Sequence, residues 1–270
     1  WQVSPIAERR SRHTCCSGGL KLKVVIRMIK GGQRIATATG VMLADPHSLG
    51  NAQPDVSEAL FDPGFWAARG EADAASGGRG SAWFVGSAAH PWVLRHYRRG
   101  GFVARLSEDR YWWSGEDRVR SFTEWRLLHY LSERGLAVPK PVAAFYRRER
   151  WTYRCDLITE RISPAQPMSA ALKAGTLAEP VWRAVGAALA RLHRHGVDHA
   201  DLNAHNILLG ASGEVSVIDF DRGRLRAPGA WGFRNLARLK RSLQKIAADM
   251  PADRFTPASW AALMAGYQAD

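Results

Sequence analysis

The run His199-Ala200-Asp201-Leu202-Asn203-Ala204-His205-Asn206, followed by Val217-Ile218-Asp219-Phe220-Asp221, constrains this chain more than any other stretch. It places one carboxylate at Asp201, a carboxamide five residues later at Asn206 and a second carboxylate eighteen residues later at Asp219. A site that transfers a phosphoryl group needs this set. One acid orients or deprotonates a hydroxyl nucleophile, while an amide and a carboxylate hold magnesium on the nucleotide phosphates. The plainer reading is a polar loop followed by a buried strand that ends in a turn, because Asp is common at strand ends. The two blocks carry weight together, where either alone would carry little.

Around these blocks the hydrophobic pattern divides the chain. From Met42 to about Gly80 it is rich in Ala, Gly, Asp and Pro, and reads as loop with one short helix near Ser57–Phe61. Two strand-like runs, Ala82–Gly86 and Trp92–Tyr97, follow as a hairpin. The spacing of Trp125, Leu127, Leu128 and Leu131 predicts a helix over Phe122 to Arg134, stopped by Gly135. Pro139 and Pro141 lead into a second hairpin with strands near Val142–Arg147 and Arg154–Thr159. A helix is expected over Val181–His195, with Gly196 as its stop, and then the polar loop at 199–206. Strands Ile207–Leu209 and Val215–Ile218 flank a Ser212-Gly213 turn, and helices close the chain at Trp231–Lys245 and Pro257–Gln268. Strands first and helices later predict an α+β fold with a nucleotide between two lobes. The expected units are an extension at 1–41, a lead-in at 42–76, a small β-rich N-lobe at 77–161 and a larger α-helical C-lobe at 162–270.

Further candidates lie in the first lobe. Gly77-Gly78-Arg79-Gly80-Ser81 precedes the first strand-like run, and backbone N–H groups at Gly78 and Gly80 can approach phosphate oxygens without a Cβ in the way. The same stretch reads equally as a flexible linker. A cation is expected on the next strand, yet no lysine occurs between Lys30 and Lys140, so Arg95 is the substitute. Its alternative is the solvent-facing side of an alternating strand. Glu124 is the candidate carboxylate to meet Arg95. Ser121-Phe122-Thr123-Glu124 also satisfies the capping-box pattern, in which case Glu116 or Glu133 takes the functional role. His199 is expected to support the loop, His205 to support it or touch substrate, and Arg147-Arg148-Glu149-Arg150 to be a hairpin tip in water.

Composition sets limits on partners and compartment. No apolar stretch approaches the roughly 20 residues of a membrane-spanning helix, and no signal-peptide pattern is visible. Cys15, Cys16 and Cys155 make neither a disulfide framework nor a zinc site, which fits a reducing cytosol. The formal charge of +13 calls for an anionic partner such as nucleotide, nucleic acid or membrane surface. Residues 1–41 hold eight basic groups against Glu8, a net +7, so the other 229 residues carry only +6. That segment has no initiator Met and little periodicity, and is expected to be disordered or a mis-annotated extension. The argument for a polyanion shrinks accordingly, and no nucleic-acid partner is expected. Trp231, Phe233, Leu236 and Leu239 interleave with Arg234, Arg238, Lys240 and Arg241, which suits either an anionic membrane surface or an ordinary solvated helix face.

The assembled pattern resembles the eukaryotic-protein-kinase-like superfamily and, more narrowly, the bacterial lipopolysaccharide kinases. Trp92 to Gly101, Val138 to Ala144, His199 to Leu209, Ile218 to Arg224 and Asn235 to Leu243 carry that resemblance, which covers roughly Gly77 to Leu243. It implies a protein-kinase-like two-lobe fold. It also implies transfer of the γ-phosphate of ATP to the 4-hydroxyl of 3-deoxy-D-manno-octulosonic acid (Kdo) on a Kdo–lipid A precursor. The reaction would take place peripherally at the cytoplasmic face of the bacterial inner membrane. Asp201 would be the base, Asn206 and Asp219 the Mg2+ ligands, and Gly78, Gly80 and Arg95, with Glu124 as its partner, the nucleotide contacts. Three departures from protein kinases argue against a protein substrate. Asn203 replaces the catalytic-loop lysine, Asp221 replaces the Gly of Asp-Phe-Gly, and no Ala-Pro-Glu segment follows. The alternatives are another small-molecule or heptose kinase of the superfamily, or a catalytically impaired kinase-like protein bound to membrane.

Overall fold

The computed structural model describes residues 32–49, 57–74, 82–98 and 109–269. In chain order the first half holds β1 (Gln33–Ala36), β2 (Val41–Ala44), α1 (Pro46–Leu49), α2 (Pro63–Ala67), β3 (Ala72–Ala74), β4 (Ala82–Val85), β5 (Trp92–His96), β6 (Tyr111–Trp112), α3 (Arg120–Ser132), β7 (Pro141–Glu149) and β8 (Thr152–Glu160). The strands form one antiparallel sheet in the order β1-β2-β7-β8-β5-β4-β3, with β6 added alongside β8. Both hairpins read from the sequence are present, β4 with β5 and β7 with β8.

The centre of this sheet is covered on both faces, which explains its residue pattern. On one side Ala144, Tyr146, Tyr153, Cys155 and Leu157 pack with Phe122, Trp125 and Leu128 of α3. On the other, Val142, Ala143, Phe145 and Ile158 pack with Leu60, Phe61 and Trp66. A strand buried on both faces has no reason to alternate, and β7 is apolar from Val142 to Tyr146 without a break.

The lead-in and part of the expected extension belong to this sheet. Residues 33–41, expected to be disordered, contribute β1 and the first residue of β2, while β2 pairs with β7 from Val41↔Tyr146 to Ala44↔Ala143. A short apolar run such as Val41-Met42-Leu43-Ala44 shows no period of its own; its partner strand lies a hundred residues away. Arg34, counted above as extension charge, pairs with Glu116 at 2.9 Å. The short helix expected near Ser57–Phe61 is a 3-10 turn at Glu58–Phe61, whereas α2 and β3 lie in a stretch read as loop. Residues 1–31 lie outside the described residues.

The second half holds β9 (Ala165–Pro167), α4 (Met168–Ala174), α5 (Glu179–Arg194), β10 (Val197–Asp198), β11 (Ile207–Gly210), β12 (Val215–Val217), β13 (Arg224–Leu225), α6 (Trp231–Ala247) and α7 (Pro257–Ala269). Trp182, Val185, Leu189 and Leu192 of α5 and Leu236, Leu239 and Leu243 of α6 are buried at helical spacing and share one core with α3 and β8. The fold is therefore α+β, an antiparallel N-terminal sheet joined to a helical C-terminal part.

α5 and α7 touch backbone to backbone. A Cβ on Gly186 would sit 2.0 Å from the Leu263 carbonyl oxygen, and one on Gly266 would sit 2.1 Å from that of Arg183. Intrinsic helix propensity favours Ala over Gly by about 1 kcal/mol. Overpacking against rigid backbone costs about 1–3 kcal/mol. The second effect should win, so Gly186→Ala is expected to lower the urea midpoint; a raised midpoint would show that the helices can move apart freely.

Candidate active site

The polar loop between β10 and β11 is held from two sides. α5 is stopped by Gly196, two residues past its end, whose φ of +75° and closeness to the Arg226 carbonyl (2.6 Å from a built Cβ) leave room only for glycine. From below, Asn235 of α6 accepts the His199 N–H through Oδ1 at 3.0 Å and donates through Nδ2 to Asp198 at 3.1 Å. Above, the His199 ring bridges two segments. Its Nε2 lies 3.0 Å from the Ile218 carbonyl oxygen, and its Nδ1 accepts the Asp201 N–H at 3.2 Å. Only the neutral Nε2–H tautomer can do both. Burial lowers the pKa of this ring, partly offset by its bond to Ile218, in keeping with a neutral imidazole. His199 thus supports the loop, as its position in the motif suggests.

Asp201 and Asn206 are brought together. Asn206 Nδ2 donates to the Asp201 carbonyl at 3.0 Å, and the Asn206 carbonyl accepts the Ile218 N–H at 2.9 Å. These bonds tie the loop to the segment that delivers Asp219. Asp201 keeps its side chain half exposed, with Asn203 Nδ2 at 3.3 Å from Oδ2. His205 faces Ser169, with Nδ1 2.8 Å from Oγ.

Asp219 follows β12 in a left-handed conformation (φ +63°), which turns its carboxylate toward the sheet. There Arg95 of β5 bridges two acids: Nη1 binds Asp219 and Nη2 binds Glu124. Tyr97 completes the group, accepting from Arg95 at 2.9 Å and donating to Glu124 at 2.5 Å. Glu124 also accepts the Phe220 N–H at 3.0 Å. The capping reading of Glu124 therefore fails. α3 begins at Arg120, Ser121 Oγ donates to the Phe145 carbonyl, and Glu124 points inward with 3% of its surface exposed. Glu116 is taken by Arg34 and Tyr146, and Glu133 lies exposed at the helix end.

The charges in this cluster pull against burial. Desolvation pushes the Glu124 carboxyl up to about 7 while Arg95 draws it down. Burial also works to raise Asp219, but the adjacent Arg95 outweighs it and holds that carboxyl below the usual range. Asp221 extends the network on the other side, paired through both oxygens with Arg120, whose Nε lies 2.8 Å away.

Sequence reasoning had no access to Tyr97, to the Arg120–Asp221 pair or to Asn235. Each is joined to its partner only by tertiary contact. The inward turn of Asn235 had one local signal, since an amide amid Trp231, Leu236 and Leu239 sits on the apolar stripe. Gly78 and Gly80 lie outside the described residues. A cavity of about 420 Å³ lined by Pro164, Leu177, Val181, Leu209 and Glu214 shares no residue with the cluster.

Among the described residues no three His, Cys, Asp or Glu side chains converge as a metal cage. Magnesium carried on a nucleotide needs only one or two protein oxygens. Asn206 and Asp219 match that demand: the Asn206 amide nitrogen is committed to Asp201, which leaves its oxygen as the available acceptor.

A β-sheet half whose Arg–Glu pair reaches an Asp-Phe-Asp loop, over a helical half carrying a His-x-Asp-x4-Asn loop, defines a kinase-like phosphotransferase acting on an alcohol. The chain belongs to the lipopolysaccharide kinase (Kdo/WaaP) family, whose model matches residues 64–267. It is 48% identical over 209 residues to a 3-deoxy-D-manno-octulosonic acid kinase of Stenotrophomonas maltophilia (strain R551-3), covering 77% of this chain and 81% of that protein. It is likewise 48% identical over 199 residues to that of Xylella fastidiosa (strain 9a5c), covering 73% and 79%. The corresponding protein of Xanthomonas axonopodis pv. citri (strain 306) matches over 208 residues, at 48% identity and with 77% and 81% covered.

Two outcomes are expected. Glu124→Ala should lower unfolding free energy by about 3 kcal/mol, because it strands part of the Arg95 charge in the interior. Glu124→Gln, which can still accept from Phe220, should lose less; three equal urea midpoints would refute the pair's structural role. For His199, the folded pKa lies below the unfolded one, so the unfolded state takes up the proton first and stability is lost as pH falls below the ordinary histidine range. Ring nitrogen-15 shifts should show the Nε2–H tautomer still present at about pH 6, and a charged ring there would contradict the bridge.

Proposed function

We propose that the chain transfers the γ-phosphate of ATP to the 4-hydroxyl of Kdo in Kdo–lipid A, an early step in building the lipopolysaccharide core. The observation that carries this reading is the meeting of Arg95, Glu124 and Asp219 at the junction of sheet and helices, with Asn206 and His199 hydrogen-bonded to the segment that delivers Asp219 and Asp201 bonded in turn to both. The sequence identity to proteins named for Kdo supports the acceptor.

In this reading Asp201 is the base. Its half-exposed carboxylate takes the proton as the acceptor oxygen bonds to the γ-phosphorus and the bond to the β-phosphate breaks. Asn206 and Asp219 would hold Mg2+, which neutralises charge on the phosphates when bound. Arg95 would meet the α- and β-phosphates, and Gly78 and Gly80 are proposed as further nucleotide contacts. A guanidinium suits this role because its planar fork can pair bidentately with phosphate oxygens. A phosphate at Arg95 competes with Asp219 and so releases that carboxylate toward the metal.

The substrate is an anionic glycolipid, and an excess of basic residues favours both it and the surface that holds it. No helix among the described residues is long and apolar enough to cross a membrane. We place the protein peripherally on the cytoplasmic face of the inner membrane.

Radiolabelled ATP offered with Kdo–lipid A and, side by side, with heptosylated acceptors should label the first, and mass spectrometry should show one phosphate on the Kdo. Labelling of heptose alone would reassign the acceptor. Asp201→Asn should reduce turnover roughly 10²–10⁴-fold without changing the melting midpoint, and undiminished turnover would exclude the base assignment.

A further inference from the structure

Helix α6 presents three polar residues to the catalytic loop. Asn235, Arg238 and Ser242 recur at spacings of three and four and so lie along one face. Asn235 holds the His199 N–H, and Ser242 Oγ accepts the Ala204 N–H at 3.3 Å. Between them Arg238 Nη1 stands 3.5 Å from Asp201 Oδ1, with 49% and 53% of the two side chains exposed. Asn203 flanks the other carboxylate oxygen.

The surroundings make this arginine unusual. From His199 to Asn206 the loop contains no Lys or Arg; His199 is buried in a neutral role, and His205 is engaged with Ser169. Across the site, Arg95 is shared by Glu124 and Asp219 and is assigned to the α- and β-phosphates, not to the group transferred. An exposed ion pair of this kind adds little to stability. Phosphoryl transfer, by contrast, spreads negative charge over three equatorial oxygens beside the base, and a fixed cation there acts strongly on rate. Arg238 pairs with Asp201 through one of its nitrogens; a guanidinium carries five N–H donors in all.

We propose that Arg238 is a catalytic residue of this reaction, reaching from α6 to hold Asp201 toward the acceptor hydroxyl and to donate to the oxygens of the phosphoryl group in flight. It supplies from a distant helix the cation that the loop itself lacks. The proton still passes from the acceptor oxygen to Asp201, and the electron pair of the breaking P–O bond leaves with ADP. The assignment rests on Asp201 being the base.

The test compares wild type with Arg238→Ala, Arg238→Lys and Asp201→Asn in steady-state assays with ATP and Kdo–lipid A, alongside melting midpoints. Arg238→Ala should lower kcat about 10²–10³-fold, with KM for ATP within about twofold and the midpoint unchanged. Arg238→Lys should recover part of the loss, and added guanidinium ion should rescue Arg238→Ala but not Asp201→Asn. A normal kcat in Arg238→Ala beside an inactive Asp201→Asn would overturn the proposal while leaving the base in place. A change confined to KM for the glycolipid would also overturn it, making Arg238 an acceptor-binding residue only. Lost activity with a lowered midpoint and no guanidinium rescue would reduce Arg238 to a structural role. An active Asp201→Asn would remove the reading on which the proposal stands.

Discussion

One guanidinium joins the two halves of this molecule. Arg95 projects from a strand of the sheet, Glu124 from the helix packed on that sheet, and Asp219 from the loop that leaves the C-terminal strands. Burying charge is costly unless every partner is supplied. Here the supply is complete for Glu124, which receives Arg95, the Tyr97 hydroxyl and the Phe220 amide. The sheet, α3 and the Asp-Phe-Asp loop are therefore registered against one another by chemistry that tolerates little displacement. The guanidinium meets each acid through a different nitrogen of one rigid plane, whereas an ammonium would have to reach both from a single atom.

The opposite side of the site is anchored by a different device. α6 is a core helix on its Leu236, Leu239 and Leu243 face, and it uses neighbouring positions to fasten the loop at 199–206 through Asn235 and Ser242. His199 then links that loop to Ile218, one residue before Asp219. Protonation of this ring would abolish its acceptor toward Asp201. A neutral, buried histidine thus serves as a spacer between the Asp201 backbone and the segment that carries Asp219.

The elements that were legible in the sequence are those whose signal is local. α5 and α6 were visible because their apolar residues recur at helical spacing over sixteen and seventeen residues. The β4–β5 and β7–β8 hairpins were visible because each has turn residues between two apolar runs. β1, β2 and β3 were not, because each has at most four residues and acquires its strand character from a partner. Glu124 shows how a local rule can mislead. Ser121 and Glu124 match a capping box letter for letter, but the helix starts two residues earlier, with Val119 at its cap, and both side chains find better partners in the sheet and the Asp-Phe-Asp loop.

Asp201, Asn206 and Asp219 stood out before any coordinates because phosphoryl transfer needs these functional groups and the spacing of the two blocks matches a known motif, which is written in one dimension. Which arginine stands beside which acid is a different kind of question. Arg95 lies 124 positions from Asp219, and Arg120 lies 101 from Asp221. No periodicity or motif spans such distances; burial of the sheet and helices around a shared core brings these groups together, and only then do their charges select one another.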